Sequence, residues 1–296
     1  MPHAPANSQR AHSGGPRGRV CARSRGRLWT ALGVAAAAVG CAPPGPQVPV
    51  AAVQGLRHSL ETGASWQTHL SYLRAGQATG ARLILVHGTP GAASGWADYL
   101  LNPPDGMDVI ALDRPGFGAS GPEAAVTRLS DQAAAVLALL PDDGRPVVLL
   151  GHSLGGAVVA RVAAEHPGRV TALVLLATSL DPAQEVIHPL QRVGAWWPVR
   201  ALLPRAIRNA NAELMALQPE LDRLAVLLPR ISASVVIVHG TLDDLVPLAN
   251  VGFMQASLTG ARCVTTVLLP GRNHFLPWNS ADRVRDAVRL ALEATC

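Results

Sequence analysis

The sequence feature that most constrains this chain is a repeated order of short apolar runs and helical stretches, which begins near residue 56. Six of the runs lack the alternation of apolar and polar residues that a strand with one solvated face shows. Parallel strands covered by helices on both faces have this unbroken apolar character. The pattern therefore predicts an α/β domain with a mostly parallel central sheet of about eight strands, flanked by helices. The six runs are 82–86, 108–112, 147–150, 170–176, 235–238 and 264–269.

Two earlier runs are predicted to pair as an antiparallel hairpin, and three segments between strands are predicted to be helical. One gap, residues 178–234, is too long for a simple crossover and carries Leu and Ile at helical spacing, so it predicts a small helical lid. Trp196 and Trp197 in this gap are candidates for substrate contact, with core packing against the sheet as the alternative. The hairpin runs are 56–60 and 66–74, and the helical segments are 127–140, 154–165 and 282–294.

The basic charge of the chain is concentrated at its amino end. Six of the 25 basic residues lie before residue 28, and no acidic residue precedes Glu61. The other basic residues balance the 20 acidic ones, so the folded part carries no signature of nucleic-acid binding. The chain contains no lysine, which excludes a Walker P-loop and a pyridoxal Schiff base. No Cys or His pair has zinc-ligand spacing, so neither a metal nor a cofactor is predicted.

An Arg-rich segment precedes the apolar run 28–40, and the two resemble the charged and apolar regions of a secretory signal. The run is shorter than the ~20 residues that span a bilayer. It ends at Cys41, before a proline-rich stretch, and this pattern resembles a bacterial lipoprotein box with Cys41 as the acylated residue. Residues 1–41 are therefore predicted to be a leader, 42–55 a tether and 56–296 the folded domain.

This leader predicts an exported protein of the bacterial cell envelope, held at the membrane by a lipid anchor and without a protein partner. A plain signal peptide or uncleaved anchor is one alternative, and a disordered extension is another. Translation from Val20 would give the leader an ordinary length.

Two cysteines lie far apart in the sequence but near one another in the predicted topology. Cys263 begins a predicted strand, and Cys296 follows the last predicted helix. When a strand is followed by an antiparallel return helix, these two positions lie at the same edge of the sheet, so a disulfide between them is one interpretation. A buried thiol at Cys263 beside a frayed terminus is the other.

Residues 151–156 read GHSLGG and lie between the predicted strand 147–150 and the predicted helix 154–165. A strand, a GxSxG turn and a helix form a nucleophile elbow, in which the positions two residues either side of the serine must lack side chains. Ser153 then projects at the carboxyl end of the sheet, beside a helix N-terminus that favours negative charge. A dinucleotide-binding turn is the alternative, but the spacing is not GxGxxG.

A nucleophilic serine needs a base within hydrogen-bond reach and a third group that orients the base. His274 is the predicted base, because it follows the last predicted strand and precedes the last helix, where the chain order serine, acid, histidine requires it. His87 and His239 also end strands at this edge. They are predicted to orient loops by hydrogen bonding, with the role of base as the alternative.

The segment 239–247 reads HGTLDDLVP and supplies the predicted acid. Asp243 is favoured because it follows a strand and precedes a hydrophobic turn. Asp244 is one alternative, and Asp181, which follows the preceding strand, is the other. An acid in this role holds the imidazole in one tautomer and stabilises its protonated form.

Negative charge that develops on a substrate carbonyl needs two donors. One predicted donor is the backbone N–H of Leu154, directly after the serine. The other is expected from the loop after an early strand, where the segment HGTPG at 87–91 points to the N–H of Thr89.

By these motifs the chain resembles the α/β-hydrolase fold superfamily of the HGxPG type. The resemblance covers roughly residues 56–296 and implies a Ser-His-Asp hydrolase without a cofactor. The DRPGFG segment resembles a structural turn of the family, so Asp113 and Arg114 are expected to hold loops together. The matching segments, in order, are HGTPG at 87–91, DRPGFGAS at 113–120, GHSLGG at 151–156, HGTLDDLVP at 239–247 and the His274 loop.

The resemblance implies transfer of an acyl group from a carboxylic ester to water, and the apolar lid and lipid anchor favour esters with apolar or lipid-like acyl groups. Acyl transfer to other acceptors, perhydrolysis, and hydrolysis of amide or C–C bonds are alternatives on the same fold. A non-catalytic binding protein is a further alternative. Lipase and esterase relatives often carry HGGG where this chain has HGTPG, which leaves one loop N–H as donor. Ser153 argues against the family's aspartate-nucleophile dehalogenases and epoxide hydrolases.

Overall fold

A single mixed sheet organises the computed structural model of the chain, which describes residues 48–63 and 69–293. Its strands are β1 (Arg57–Leu60), β2 (Leu70–Gly76), β3 (Arg82–Val86), β4 (Asp108–Leu112), β5 (Val147–His152), β6 (Ala172–Leu176), β7 (Ser234–Gly240) and β8 (Cys263–Leu269). Their order across the sheet is β1-β2-β4-β3-β5-β6-β7-β8. The pairs β1–β2 and β2–β4 are antiparallel, and every other pair is parallel. The predicted mostly parallel sheet and its entry hairpin are confirmed.

The α-helices of the described residues cover both faces of the sheet. In chain order they are α1 (Ala97–Leu101), α2 (Leu129–Leu137), α3 (Leu154–Glu165), α4 (Pro189–Ala195), α5 (Trp197–Leu202), α6 (Arg205–Ala225), α7 (Ala249–Ser257), α8 (Leu276–Asn279) and α9 (Ala281–Glu293). One hydrophobic core lies between the sheet and α2, α3, α6 and α7, and the other lies between the sheet and α1 and α9. None of these helices has the length and apolar character needed to cross a bilayer.

Five of the six predicted central strands, β3 to β7, are buried along their whole length. Strand β8 differs, because most of its residues are partly exposed. It is the last strand of the sheet and has a neighbour on one side alone, so an apolar run there need not be covered on both faces.

The folded part of the chain extends further toward the amino end than the sequence pattern indicates. Residues Val50–Leu56, most of which the sequence assigns to a tether, form a 3₁₀-helix whose Val53 is fully buried in the core beside α1. The predicted leader, with Cys41, lies outside the described residues. Cys296 lies outside them as well, and Cys263 is disulfide-bonded.

The long insertion between β6 and β7 is helical, as predicted, and consists mainly of α4, α5 and α6. Helix α6 contributes Leu217, Leu221 and Leu224 to the core. Its face toward the sheet also carries buried polar residues, Asn209, Glu213 and Glu220, which the apolar periodicity alone does not predict. The cap, defined here as residues 178–234, is therefore joined to the rest of the domain by apolar and polar contacts together.

Parallel register brings the carboxyl ends of β3, β5, β6, β7 and β8 to one edge. Val86 of β3 lies opposite Gly151 of β5, and His152 lies opposite Leu176 of β6. Gly240 of β7 lies opposite Leu269 of β8. The segments that follow these strands therefore meet above one rim, and these are the segments that hold the predicted site residues.

Candidate active site

Ser153 lies at a strained turn between β5 and α3. Its φ of 55° and ψ of −127° fall in a region that residues with a side chain rarely occupy. The Ser153 N–H donates to the carbonyl oxygen of Leu176 at 3.0 Å, which ties the turn to the end of β6. Such strain persists where the surrounding structure enforces it, and it is common at functional sites.

Gly151 and Gly155 make this turn sterically feasible. A Cβ on Gly151 would lie 2.3 Å from the carbonyl oxygen of Gly155, and a Cβ on Gly155 would lie 2.4 Å from that of Val86. Both distances are far inside van der Waals contact. The two glycines of the predicted elbow are therefore required by close backbone approach.

A hydrogen bond joins Asp243 and His274 at this rim. Asp243 Oδ2 lies 2.8 Å from His274 Nδ1, although the residues belong to different loops. The other oxygen, Oδ1, accepts hydrogen bonds from the N–H groups of Leu245 and Val246 at 2.9 and 2.8 Å. The carboxylate is thus buried with both of its oxygens satisfied.

The pKa of Asp243 lies below its ordinary value. Burial alone would raise it, but the hydrogen bond and charge of His274 and the two backbone donors favour the ionised carboxylate and outweigh burial. A carboxylate on Nδ1 fixes that nitrogen as the protonated one. The Nε2 atom of His274 then carries the lone pair that a general base needs.

The other acidic candidates have different surroundings. Asp244 is exposed. Asp181 accepts the N–H of Ala183 at 3.0 Å and so caps a short 3₁₀-helix, Pro182–Gln184. Of the three, Asp243 is the acid that the structure brings to His274.

His152, the residue before the serine, is a member of the site that the sequence analysis did not single out. Its Nε2–H donates to the carbonyl oxygen of His274 at 3.0 Å, and the two rings have centroids 4.8 Å apart. Burial, and then the nearby His274, lowers the pKa of His152 to about 3, so the ring is neutral near neutral pH. The edge-on ring of Trp278 lies 5.6 Å away. The only sequence signal for His152 is its place inside GxSxG.

His152, which directly precedes Ser153, thus contacts both the backbone and the ring of His274. Among the hydrogen bonds of the described residues, none joins the Ser153 hydroxyl to the His274 imidazole. In enzymes without substrate this bond is often long or poorly aligned.

The loop 87–91 passes directly over the serine. A Cβ on Gly88 would lie 2.9 Å from the Ser153 Cβ. The backbone N–H groups of Thr89 and Leu154 make no hydrogen bond to another described residue. The Thr89 hydroxyl is buried and has no hydrogen-bond partner within the described chain. Both predicted oxyanion donors thus lie in segments adjoining the serine.

His239 serves the loop that carries the acid. Its Nε2 lies 3.1 Å from the carbonyl oxygen of Val246 and 3.6 Å from Asp243 Oδ2. Burial lowers the pKa of this fully enclosed ring below its ordinary value. A neutral ring that donates to a backbone carbonyl matches the predicted role of orienting a loop.

Asp113 and Arg114 hold loops together, as the resemblance implies. Asp113 is fully buried and accepts the N–H groups of Ala93 and Ala119 at 2.7 and 3.1 Å, together with Arg57 at 2.6 Å. Arg114 is also fully buried and binds the loop of His87.

The two tryptophans of the cap are exposed. Trp196 is 62% exposed and Trp197 is 76% exposed. Core packing against the sheet, the alternative interpretation of these residues, is therefore wrong. No hydrogen bond or ring contact joins either indole to a site residue within the described chain, so a substrate contact remains a prediction.

Comparison with known proteins agrees with the fold. The family model of the alpha/beta hydrolase fold matches residues 81–202. A non-heme chloroperoxidase from Streptomyces lividans is 30% identical over 237 residues, which cover 64% of this chain and 84% of that protein. The chain belongs to the α/β-hydrolase fold family.

Other relatives share shorter regions. Lipase LipV from Mycobacterium tuberculosis is 34% identical over 163 residues, which cover 53% of this chain and 62% of the lipase. The chain spans still less of some other curated relatives, such as 26% of an acetoin-cleaving-system acetyltransferase component from Cupriavidus necator.

Solved structures show the same architecture at low identity. A membrane phospholipase A, described as a bacterial virulence factor, has a TM-score of 0.62 at 23% identity, and the match covers 89% of this chain and 96% of that one. An esterase from Thermogutta terrifontis has a TM-score of 0.61 at 22% identity, with 79% and 96% covered. At these identities the likeness shows the fold alone.

Proposed function

We propose that the chain is a serine hydrolase that cleaves carboxylic esters with apolar acyl groups. The observation that carries the proposal is the 2.8 Å hydrogen bond between Asp243 and His274 at the rim where Ser153 lies on its strained elbow. Similarity to a lipase supports an ester substrate.

In the acylation step, Ser153 Oγ forms a bond to the ester carbonyl carbon while His274 Nε2 accepts the hydroxyl proton. The carbonyl electron pair moves onto its oxygen, and the N–H groups of Thr89 and Leu154 stabilise that charge. Asp243 stabilises the imidazolium that forms. Collapse of the intermediate breaks the bond to the alcohol, which leaves with the proton from His274.

In the deacylation step, water takes the place of the alcohol. His274 Nε2 accepts a proton from the water, whose oxygen attacks the acyl carbon. The second tetrahedral intermediate uses the same two N–H donors. Its collapse returns the proton to Ser153 Oγ and releases the carboxylic acid.

Substitution of the serine tests the proposal. We expect Ser153→Ala to lower the rate of p-nitrophenyl butyrate hydrolysis by at least about 10³-fold, since the loss of a triad nucleophile costs more than the loss of one oxyanion donor. A fluorophosphonate probe should label the wild-type chain at residue 153. The thermal unfolding midpoint of the variant should stay close to that of the wild type.

Ser232→Ala is the matched control, because Ser232 is exposed and lies outside the site. It should keep full turnover and labelling. Unchanged turnover or labelling in Ser153→Ala would contradict the proposal. A wild-type chain that neither turns over esters nor takes the probe would favour the non-catalytic binding protein.

Perhydrolysis is a second candidate activity. It is favoured by the similarity to the chloroperoxidase, 84% of whose length the match covers. On this site, hydrogen peroxide would replace water in the attack on the acyl-enzyme, and the product would be a peracid. Measuring the amounts of acetic acid and peracetic acid formed from acetate esters at increasing hydrogen peroxide concentrations distinguishes water from peroxide as the acyl acceptor. Hydrolysis as the main activity predicts that peracid stays a minor product.

The apolar acyl preference and membrane association are proposed from the cap strip, defined as residues 186–202. Within the strip, five large apolar side chains are at least half exposed. The sequence has no acidic residue between Glu185 and Glu213. Apolar and aromatic side chains among arginines suit the surface of an anionic bilayer. With the proposed lipid anchor at Cys41, the strip would keep the site near lipid-derived esters. The five side chains are Val186, Val193, Trp196, Trp197 and Leu202.

A further inference from the structure

Arg114 is a fully buried cation that the proposed mechanism does not use. Its Nη1 and Nη2 donate to Oε1 and Oε2 of Glu213 at 2.7 and 3.0 Å, which makes the ion pair bidentate. Its Nε donates to the carbonyl oxygen of His87 at 2.9 Å, and Nη2 also donates to that of Gly88 at 3.0 Å. Because a buried ion pair adds little net stability, the geometry that this pair imposes on its neighbours is its main effect.

His87 also donates a hydrogen bond to the carbonyl oxygen of Gly88. The backbone N–H of Arg114 donates to His87 Nε2 at 3.0 Å, so Nε2 is the unprotonated nitrogen of the neutral ring. The proton therefore resides on Nδ1, which donates to the carbonyl oxygen of Gly88 at 2.7 Å. Burial, together with the charge of Arg114, lowers the pKa of His87 far below its ordinary value and keeps the ring neutral.

The Gly88 carbonyl oxygen thus receives two donors, one from His87 and one from Arg114. The peptide bond between Gly88 and Thr89 is trans, since the cis bonds of the described chain lie elsewhere. In a planar trans peptide the C=O and N–H vectors are antiparallel. Donors that hold the Gly88 carbonyl in one direction therefore hold the Thr89 N–H in the opposite direction.

Glu213 connects this peptide to the cap. It lies on α6, where its Oε1 also accepts Gln132 Nε2 at 3.0 Å. The helix is fixed to the same loop region by Asn209, which donates to the carbonyl oxygen of Gly116 at 2.9 Å. The position of Arg114 thus depends on a helix more than 90 residues later in the sequence.

We propose that Glu213, acting through Arg114, and His87 are positioning residues that aim the Thr89 N–H at the developing oxyanion. The inference rests on the proposed function, in which Thr89 is an oxyanion donor. It makes the cap helix α6 a structural part of the oxyanion site.

Glu213→Gln tests the inference, because it keeps the shape and one oxygen acceptor but removes the bidentate ion pair. We expect kcat for p-nitrophenyl butyrate to fall about tenfold, which is less than the ~10²–10³-fold cost of losing an oxyanion donor outright. The KM should change little. Inhibition by butylboronic acid, whose serine adduct is tetrahedral and anionic, should weaken by the same factor as kcat.

Glu220→Gln is the matched control. Glu220 lies on the same helix and is also buried, but it accepts the N–H of Leu129 and does not contact Arg114. It should keep wild-type kcat and boronate inhibition even where its unfolding midpoint falls. Arg114→Lys is the second test variant, since it keeps the buried charge and loses the forked geometry. It should reproduce the losses of Glu213→Gln.

A folded Glu213→Gln or Arg114→Lys chain with wild-type kcat and boronate inhibition would overturn the inference. Equal losses in Glu220→Gln would overturn it too, because they would reveal a general effect of helix stability. The proposed function is tested separately by Ser153-dependent turnover of the wild-type chain. If that turnover is present and the variants match the wild type, the positioning role fails while the proposed function stands.

Discussion

At the scale of single residues, the acid of the site is defined by what its carboxylate contacts. Asp243 is buried and binds His274 with one oxygen and two backbone N–H groups with the other. We expect Asp243→Asn to keep the fold and to lower kcat by about 10³–10⁴-fold, because an amide at this position favours the wrong imidazole tautomer. Ester turnover and the unfolding midpoint measure the two effects.

The two alternative candidates for the acid, Asp244 and Asp181, supply the control variants for this substitution. Asp244→Asn alters an exposed side chain, and Asp181→Asn alters a 3₁₀-helix cap. Each should keep kcat within about threefold of the wild type, since neither contacts His274. A loss in Asp181→Asn as large as that in Asp243→Asn would assign the acid to Asp181 instead.

The lowered pKa values of the buried histidines make the free energy of unfolding depend on pH. Burial lowers the pKa of His152 to about 3, whereas an unfolded histidine takes up its proton near 6.5. Between these two values the unfolded state binds the extra proton, so the free energy of unfolding falls as the pH falls from about 6.5. The loss from one such group approaches about 1.4 kcal/mol per pH unit. His87 and His239 act in the same direction.

We therefore expect His152→Gln to reduce this slope, because glutamine keeps an N–H donor for the His274 carbonyl but does not titrate. Urea unfolding between pH 6.5 and 4.5 measures the slope. Asp243, whose pKa is below its ordinary value, is present in both chains, so the difference between their slopes reports on residue 152. His188→Gln, which replaces an exposed histidine at the start of α4, is the matched substitution control. An unaltered slope in His152→Gln would contradict the assignment of this ring as buried and neutral.

At the scale of elements, the parts that could be predicted are those whose cause is local. Helix α3 spans the predicted residues 154–165, because the elbow glycines define its start and His166 and Pro167 follow its end. The buried strands are likewise visible as unbroken apolar runs. Helix α2 spans Leu129–Leu137 and is therefore shorter at both ends than the predicted 127–140.

The parts that could not be predicted depend on distant residues. The exposure of β8 follows from its place at the edge of the sheet, which is a property of the topology. The contact between Glu213 and Arg114 joins positions 99 residues apart, and no local pattern marks a glutamate on an amphipathic helix as buried. The Asp243–His274 hydrogen bond was predictable from motif order, whereas His152 became visible only through its contact with the His274 loop.

The cap consists of two parts with different surroundings. Helix α6 is held to the domain by buried leucines and by the polar contacts of Asn209, Glu213 and Glu220. Helices α4 and α5, which carry the cap strip, have no fully buried residue. The part that contains α6 is thus firmly held to the domain and carries Glu213, whereas α4 and α5 leave large apolar side chains exposed.

At the scale of the whole molecule, the proposed anchor and the cap strip would act on the same membrane. A single acyl chain gives marginal, reversible binding, so stable attachment needs a second signal. We propose that the strip provides one through its tryptophans and the exposed Arg192 and Arg200. We expect the Cys41→Ser chain, which lacks the acyl chain but keeps the basic leader, to co-sediment with vesicles of phosphatidylglycerol and phosphatidylcholine at 3:1 and only weakly with pure phosphatidylcholine.

The tryptophans can then be tested within the Cys41→Ser chain. Full burial of one large apolar side chain contributes about 1.5–3 kcal/mol, so partial insertion of two indoles should matter at least tenfold. We expect Trp196→Ala with Trp197→Ala to weaken binding to the anionic vesicles by about that factor, with the unfolding midpoint unchanged because both indoles are exposed. Val226→Ala, at an exposed apolar residue outside the strip, should bind as before. Equal binding by the double variant would assign membrane attachment to the leader alone, since the strip would then contribute nothing measurable.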